Sequence, residues 1–385
     1  TGPMHMGNAR GGALGDCLAA VLDKAGYNAW REFYVNDAGN QIEKFGCSLE
    51  ARYLQIFKGD EIEFPEDGYQ GEDIKDLAKE YADLNGDSLV NVSAEERKKA
   101  LVDYALPKNI KKMQADMEKY KIFYDKWFFE SELHKSGAVK AVVDLLTKKG
   151  LTYEKDGAVW YKNKEVLTQK LLKEGKSQKY IDNLELKDDV LIRQNGNPTY
   201  FTADIAYHKN KFDRGFTTLI DVWGADHHGH VMRMKGAMDA IGYDGDKLNV
   251  VLMQLVKLVK DGELVRMSKR TGKAIQLGDL LDEVPVDSAR FLFNTKEANT
   301  QMDFDLDLAV SQDNQNPVYY VQYAHARICS IFKSLAKEGI SPRECTDAEL
   351  ALLTAPEEKE LINHLASYTN EIISAAKDYD PTKVT

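Results

Sequence analysis

Cysteine is scarce in this chain. There are four in 385 residues, Cys17, Cys47, Cys329 and Cys345. Their separations match neither paired metal ligands nor a redox dithiol, which excludes a disulfide or zinc-stapled scaffold and leaves free thiols of a reducing compartment as the expectation. Long hydrophobic runs are also missing: no apolar stretch approaches the roughly 20 residues of a membrane helix, and no secretory leader is visible. No internal repeat or low-complexity tract is apparent. Positive charge is in deficit, with 51 Lys and Arg against 62 Asp and Glu and a net charge of -11, which argues against a general nucleic-acid binder while allowing a local basic face. What is present in quantity is apolar mass, 43% of the residues, enough for the cores of two or three domains.

His5-Met6-Gly7-Asn8 follows a Gly2-Pro3 turn, and from Leu14 the apolar residues recur as Leu18, Val21, Leu22 and Ala25, the stripe of a helix that Gly26 ends. A helix N-terminus carries unpaired N–H groups and the positive end of a dipole, so it suits a phosphate. His5 and Asn8 would add side-chain donors, Gly7 would let a ligand approach closely, and Arg10 would add a fixed charge. The plainer alternative is that His5 and Asn8 only cap the helix. Far downstream, Leu248 to Val256 reads as a buried strand, and Leu258 to Val265 as a hairpin turning at Asp261-Gly262. It leads into Arg266-Met267-Ser268-Lys269-Arg270, a basic loop with Gly272 and Lys273, in which Lys269 could close on a triphosphate. Alone, such a loop is equally a solvated surface. Together and in this order, the two motifs describe a nucleotide-triphosphate site built from two ends.

Ala29 to Val35 reads as a strand entering an Asn36-Asp37 turn, Glu43 to Phe57 and Ser93 to Tyr124 as helices, Leu219 to Val222 as a strand, and His228 to Ile241 as a helix ended by Gly242. Between about Glu61 and Val190 the strand-helix rhythm is lost, as in an insertion between two halves of a parallel sheet. The expected fold class is α/β: a doubly wound parallel-sheet, Rossmann-like nucleotide-binding catalytic domain with a mainly helical insertion, its site at the carboxyl ends of the strands. Helical spacing through Val321, Ala324, Ile328, Ile331 and Phe332, and through Leu361, Leu365, Ile372 and Ile373, marks the start of an all-α domain. The boundaries drawn are 1–60 and 191–306 for the catalytic halves, 61–190 for the insertion and 307–385 for the helical domain. Arg97-Lys98-Lys99, Lys108, Lys111-Lys112, Lys119 and Lys121 could meet an RNA backbone, but read better as a solvated helix face. Asp226-His227-His228-Gly229-His230 invites a zinc reading; adjacent residues rarely converge on one ion, so no structural metal is expected.

On these residues the chain resembles the class I aminoacyl-tRNA synthetases. His5-Met6-Gly7-Asn8 is similar to the family's HIGH motif, and Met267-Ser268-Lys269 to the centre of its KMSKS loop. More narrowly it resembles the arginyl-tRNA synthetases, through Thr1 to Arg10, Tyr34 to Gln41, Tyr200 to His208 and Trp223 to Gly229. Asn8 stands where the pattern has histidine, keeping a donor but not a cationic form, and Arg266 and Arg270 occupy the first and last positions of the loop motif.

The resemblance implies ATP-dependent activation of L-arginine to arginyl-adenylate and its transfer to tRNA(Arg). It implies catalytic roles for His5, Gly7, Asn8 and Lys269, and ATP contacts from His5, Asn8, Arg10, His227, Met267, Ser268, Lys269 and Arg270, with Mg2+ carried by the ATP. Arginine would be met by Asn36, Asp37, Tyr200, Asp204 and Asp226. Tyr200 and Asp204 stand one helical turn apart, an aromatic face and a carboxylate suited to a guanidinium, and match a tyrosine and an aspartate that contact arginine in the family; read without the resemblance they would be a core tyrosine and a helix cap. A cytoplasmic monomer is expected. Because Thr1 is not an initiator methionine and family members carry an N-terminal domain and a first strand ahead of it, the chain is expected to be an internal fragment, also lacking most of the anticodon-binding domain. Two other readings stand beside this one: another nucleotidyltransferase of the same superfamily, and a non-catalytic ATP- or RNA-binding fragment.

Overall fold

A computed structural model describes residues 2–265 and 275–385. The elements run in the order α1 (Met6–Lys24), β1 (Glu32–Val35), α2 (Gly39–Lys58), α3 (Glu72–Asn85), α4 (Ala94–Lys119), β2 (Lys126–Phe129), α5 (Glu130–Lys135), α6 (Ala138–Lys148), β3 (Thr152–Lys155) and β4 (Ala158–Tyr161). There follow α7 (Asn163–Lys173), α8 (Gln178–Asn183), β5 (Asp189–Ile192), α9 (Tyr200–Asp213), β6 (Leu219–Gly224), α10 (His228–Ile241), β7 (Leu248–Met253), β8 (Val256–Lys260) and β9 (Glu263–Leu264). The last are α11 (Leu277–Glu283), α12 (Val286–Phe293), β10 (Met302–Asp305), α13 (Leu306–Val310), α14 (Pro317–Lys337), α15 (Asp347–Leu350) and α16 (Pro356–Asp378). Two compact units share them: Thr1–Gly2, Glu32–Ile110 and Tyr124–Met253 form the first, and Pro3–Arg31, Lys111–Phe123 and Gln254–Thr385 the second. No described helix is long and apolar enough to cross a membrane.

The first unit is built on two parallel strand pairs, β1 with β2 and β6 with β7. β-branched and aromatic residues suit these pleated positions, Val35 and Phe128 buried and Tyr34 and Val222 half-buried. Phe128, Leu219 and Leu248 join Val142, Leu146, Ile205, Met234 and Met238 of α6, α9 and α10 in one buried cluster. The helix α10 ends where expected: Gly242 takes φ +106°, a left-handed cap that a glycine adopts without a Cβ penalty. β3, β4 and β5 form a separate antiparallel sheet. A second cluster packs Phe45, Leu49 and Tyr53 of α2 against Leu77 and Ala78 of α3 and Leu101 and Ala105 of α4.

In the second unit β8 pairs in parallel with β10 and antiparallel with β9. The hairpin turns at Asp261 and Gly262, both at positive φ, the backbone that an Asp-Gly pair supplies. Val21 of α1 packs on Ala375 and Ala376 of α16.

Four sequence expectations are adjusted. β1 begins at Glu32, not Ala29, because the Arg31 guanidinium is held at 3.0 Å by Asp16 and the Ala29 N–H by Asp23. The apolar run from Leu248 breaks after Met253: Gln254 N–H donates to Ala298 O, and the chain resumes as a strand of another sheet at Val256. Between residues 61 and 190 a parallel strand, β2, and a β3–β4 hairpin appear, because Lys126–Phe129 is too short to show a period. α14 and α16 form as read, but most of the apolar residues that mark them, Ile331 and Leu365 among them, are exposed.

Candidate functional site

In the second unit His5 is the N-cap of α1. Its Nδ1 accepts the Gly7 N–H at 3.0 Å, so the ring proton sits on Nε2 and the histidine presents a donor. The cap reading and the donor reading of His5 therefore hold together. The backbone on either side is pinned: Met6 N–H donates to Ile275 O at 3.0 Å and Leu277 N–H to Met4 O at 2.8 Å, flanking a bridge between His5 and Gln276. The segment that follows residues 266–274 thus runs alongside the opening of α1. Asn8 is exposed in the first turn, with no side-chain hydrogen bond among the described residues. Arg266, Met267, Ser268, Lys269, Arg270, Gly272 and Lys273 lie outside the described residues.

Two residues in this motif behave otherwise than expected. A Cβ on Gly7 would lie 2.7 Å from His5 Cε1, so the room left by the missing side chain is taken by the cap's own ring. Arg10 is fully buried, and its guanidinium donates to four carbonyls, Gln254 and Thr300 through Nη1, Lys296 and Glu297 through Nη2, at 2.7–3.1 Å. Burial lowers its pKa. With these donors engaged, Arg10 is a brace for the chain around β8 and β10, not a charge offered to a nucleotide.

In the first unit the carboxyl ends of β1 and β2 gather Asn36, Asp37 and Glu130. Asp37 accepts the Ser131 N–H at 2.8 Å. The Asn36 amide, its nitrogen turned to Glu130, donates to Glu130 Oε2 and Ala38 O at 3.1 Å. Glu130 is 3% exposed; desolvation pushes its pKa up, opposed by hydrogen bonds from His134 and Tyr34. Tyr34 is driven up in turn by burial and by the charges of Glu130 and Asp204. These groups make a negative, partly desolvated cluster, the environment a cationic group seeks.

Tyr200 and Asp204 occupy the first two turns of α9. Tyr200 is exposed and Asp204 caps nothing, so the core-and-cap alternative does not describe them. Asp204 Oδ2 meets His230 Nε2 at 3.0 Å, and no protein hydrogen bond to Oδ1 occurs among the described residues. Asp226 and His227 stand in a short turn after β6, with side chains 80% and 61% exposed, and touch each other only at 3.8 Å. Beyond a rejected zinc reading for His230, the sequence carries no local signal that assigns His230, Tyr34, Glu130, His134 or Arg233 to this site. Among the described residues no three His, Cys, Asp or Glu side chains are arranged to hold a metal ion.

Several cations of the basic stretch on α4 are paired with carboxylates. Arg97 is buried, donating to Leu89 O and to Glu50, while Lys98 pairs with Glu43, Lys99 with Asp103, Lys108 with Glu80 and Lys119 with Asp282.

Comparison with known proteins bears on the family of the chain. The family model described as tRNA synthetases class I (R), catalytic domain, matches residues 1–329, and that of the DALR anticodon binding domain matches 321–385. An arginine-tRNA ligase of Ruminiclostridium cellulolyticum is 56% identical over the whole of this chain, which spans 66% of that relative's length. A solved structure from Campylobacter jejuni, assigned as an arginyl-tRNA synthetase, superposes with a TM-score of 0.81 at 34% identity, covering 99% of this chain and 79% of the other. The Thermus thermophilus arginyl-tRNA synthetase, at 20% identity and a TM-score of 0.71 over 99% of this chain and 69% of its own, shares the fold.

Proposed function

The chain belongs to the class I tRNA synthetases for arginine, and from that premise we propose that it activates L-arginine with ATP, giving arginyl-adenylate and pyrophosphate, and passes the arginyl group to the terminal ribose of tRNA(Arg). The arginine carboxylate attacks the α-phosphorus, so no protein nucleophile is needed and catalysis is positioning and charge stabilisation. In this reading the His5 Nε2–H, the exposed Asn8 and the N-terminus of α1 take the phosphates, Lys269 neutralises the departing pyrophosphate, and magnesium arrives with the ATP. Tyr200 and Asp204 take the guanidinium, with Asn36 and Asp37 at the neighbouring strand ends. Asp226 and His227, after β6, remain the candidates for the amino acid and adenosine. The helical residues 307–385 would contribute to anticodon binding.

The observation that carries the reading is the pairing of Met4 and Met6 with Leu277 and Ile275. It sets the start of α1 beside residues 275–277, the chain that follows residues 266–274 in sequence, which supports a triphosphate site drawing on both motifs. Membership of the arginine family sets aside the nucleotidyltransferase alternative. The test is ATP–pyrophosphate exchange with arginine, lysine and glutamate, with and without arginine-accepting tRNA. Exchange with arginine alone is expected; silence from folded chain that still binds ATP, in every mixture, overturns activation in favour of a non-catalytic ATP- or RNA-binding role.

A further inference from the structure

Asp204 does not stand alone. Its Oδ2 is met at 3.0 Å by Nε2 of His230, whose Nδ1 is met at 2.6 Å by Nη2 of Arg233. Arg233 Nη1 in turn donates to Asp189 Oδ1 at 2.6 Å, and the guanidinium carbon lies 5.3 Å from the centre of the Phe201 ring. The order of donors is forced by chemistry. A guanidinium has no acceptor, so Nδ1 of His230 must accept. The ring proton is then on Nε2, and the imidazole donates to Asp204.

This chain of contacts does two things. It fixes the Asp204 carboxylate by one oxygen, leaving Oδ1 directed by the same rotamer and without a protein partner among the described residues. It also places a neutral ring between a carboxylate that should receive a guanidinium and a guanidinium the protein already owns. Arg233 follows His230 by three residues on α10, which puts both side chains on one helix face. Without the imidazole that touches both, a shift of the Arg233 side chain toward Asp204 would let the two pair, and such a bidentate pair would occupy the place of the ligand. Asp189 and the face of Phe201 hold Arg233 in its own position.

We propose that His230 is a positioning residue for guanidinium recognition, presenting Asp204 to the substrate and insulating it from Arg233, and that Asp189 anchors Arg233 for this purpose. This rests on the reading of Asp204 as the carboxylate that receives arginine. The neighbours of His230 supply the contrast needed for a test. Its ring packs edge-on to Phe201 at 5.6 Å and lies 5.3 Å from Trp223, so phenylalanine at 230 keeps the aromatic packing and loses both hydrogen bonds. Glutamine keeps a donor and an acceptor at imidazole-like spacing and loses the ring.

L-Arginine and ATP binding are measured by calorimetry on the chain and on Asp204→Asn, His230→Gln, His230→Phe and His230→Phe/Arg233→Met. Expected for His230→Phe is a loss of arginine affinity of roughly tenfold or more, the worth of a hydrogen bond to a charged group, with ATP affinity unchanged. His230→Gln should stay near the parent, and removing Arg233 from the His230→Phe chain should restore part of the loss. Equal losses for Gln and Phe, or a tolerated Phe, overturn the inference while leaving Asp204 in the pocket. Unchanged arginine affinity in Asp204→Asn overturns the pocket reading and the inference with it. Imidazole 15N shifts give a readout independent of binding: a proton on Nε2 alone is expected for His230, and a proton on Nδ1 overturns the arrangement.

Discussion

Gly7 is surrounded by its own motif: the His5 ring fills the space where its Cβ would project. Gly7→Ala should therefore push the ring out of the cap, breaking the Gly7 N–H to Nδ1 bond. The cost to stability is that of a lost cap, about 1 kcal/mol in thermal unfolding, while pyrophosphate exchange should fall roughly tenfold or more as the Nε2 donor is misdirected. Exchange surviving in Gly7→Ala would separate the glycine from the chemistry. At this scale the sequence was legible where a side chain acts on its neighbours in the chain, as with His5 and Gly7, although the reason for the glycine was not the one expected. It was illegible where partners come from afar. Nothing near Arg10 signals that its guanidinium is engaged by carbonyls beyond residue 250, and nothing near Asp204 signals His230.

Among the elements, the turn from α10 to β7 shows how closely backbone can approach backbone. Gly245 donates its N–H to Asp239 Oδ1 at 2.8 Å, and a Cβ there would lie 2.3 Å from the Lys235 carbonyl oxygen. A carbonyl of a helix cannot swing aside as a side-chain tip can. Gly245→Ala should cost about 1–3 kcal/mol by overpacking, and lower the Tm by several degrees; an unchanged melting curve would mean that the turn shifts freely on α10. The α10 helix and its Gly242 stop were legible because period and cap agree. β2 was not, since four residues of Lys126–Phe129 carry no period and their parallel partner lies some 90 residues earlier.

Across the whole chain, the charge of -11 is not evenly disposed toward folding. Asp221, buried between His208 and Lys211, has its pKa depressed by those partners against desolvation; its contribution is present above the unfolded carboxylate range and lost only in strong acid. Asp116, Glu130 and Asp189 have the opposite sign, each raised chiefly by desolvation. For these, stability is fullest below the unfolded carboxylate pKa, about 3.9 for Asp, and is lost as pH rises through the folded value. Asp116 is the clearest case, because its Oδ2 is buried with no partner among the described residues. Asp116→Asn should be more stable than the parent at neutral pH, with the difference shrinking on acidification toward pH 4. Urea unfolding across that range measures it, and a difference independent of pH would mean that the carboxylate's ionisation is not its source. The two-unit division was not legible from composition, since each unit is assembled from segments far apart in the chain.

The brace at Arg10 has a consequence in time as well as in space. Its four acceptors lie 244 to 290 residues further along the chain. During synthesis, at about 5–20 residues per second, α1 is exposed for many seconds before its acceptors exist, with a hydrated guanidinium at position 10 and an apolar stripe of Ala13, Leu14, Leu18 and Val21 awaiting cover. The helix that opens the candidate nucleotide site is thus made 244 to 290 residues before its surroundings can be completed, so the interval in which it is open to misassociation is written into the order of the sequence.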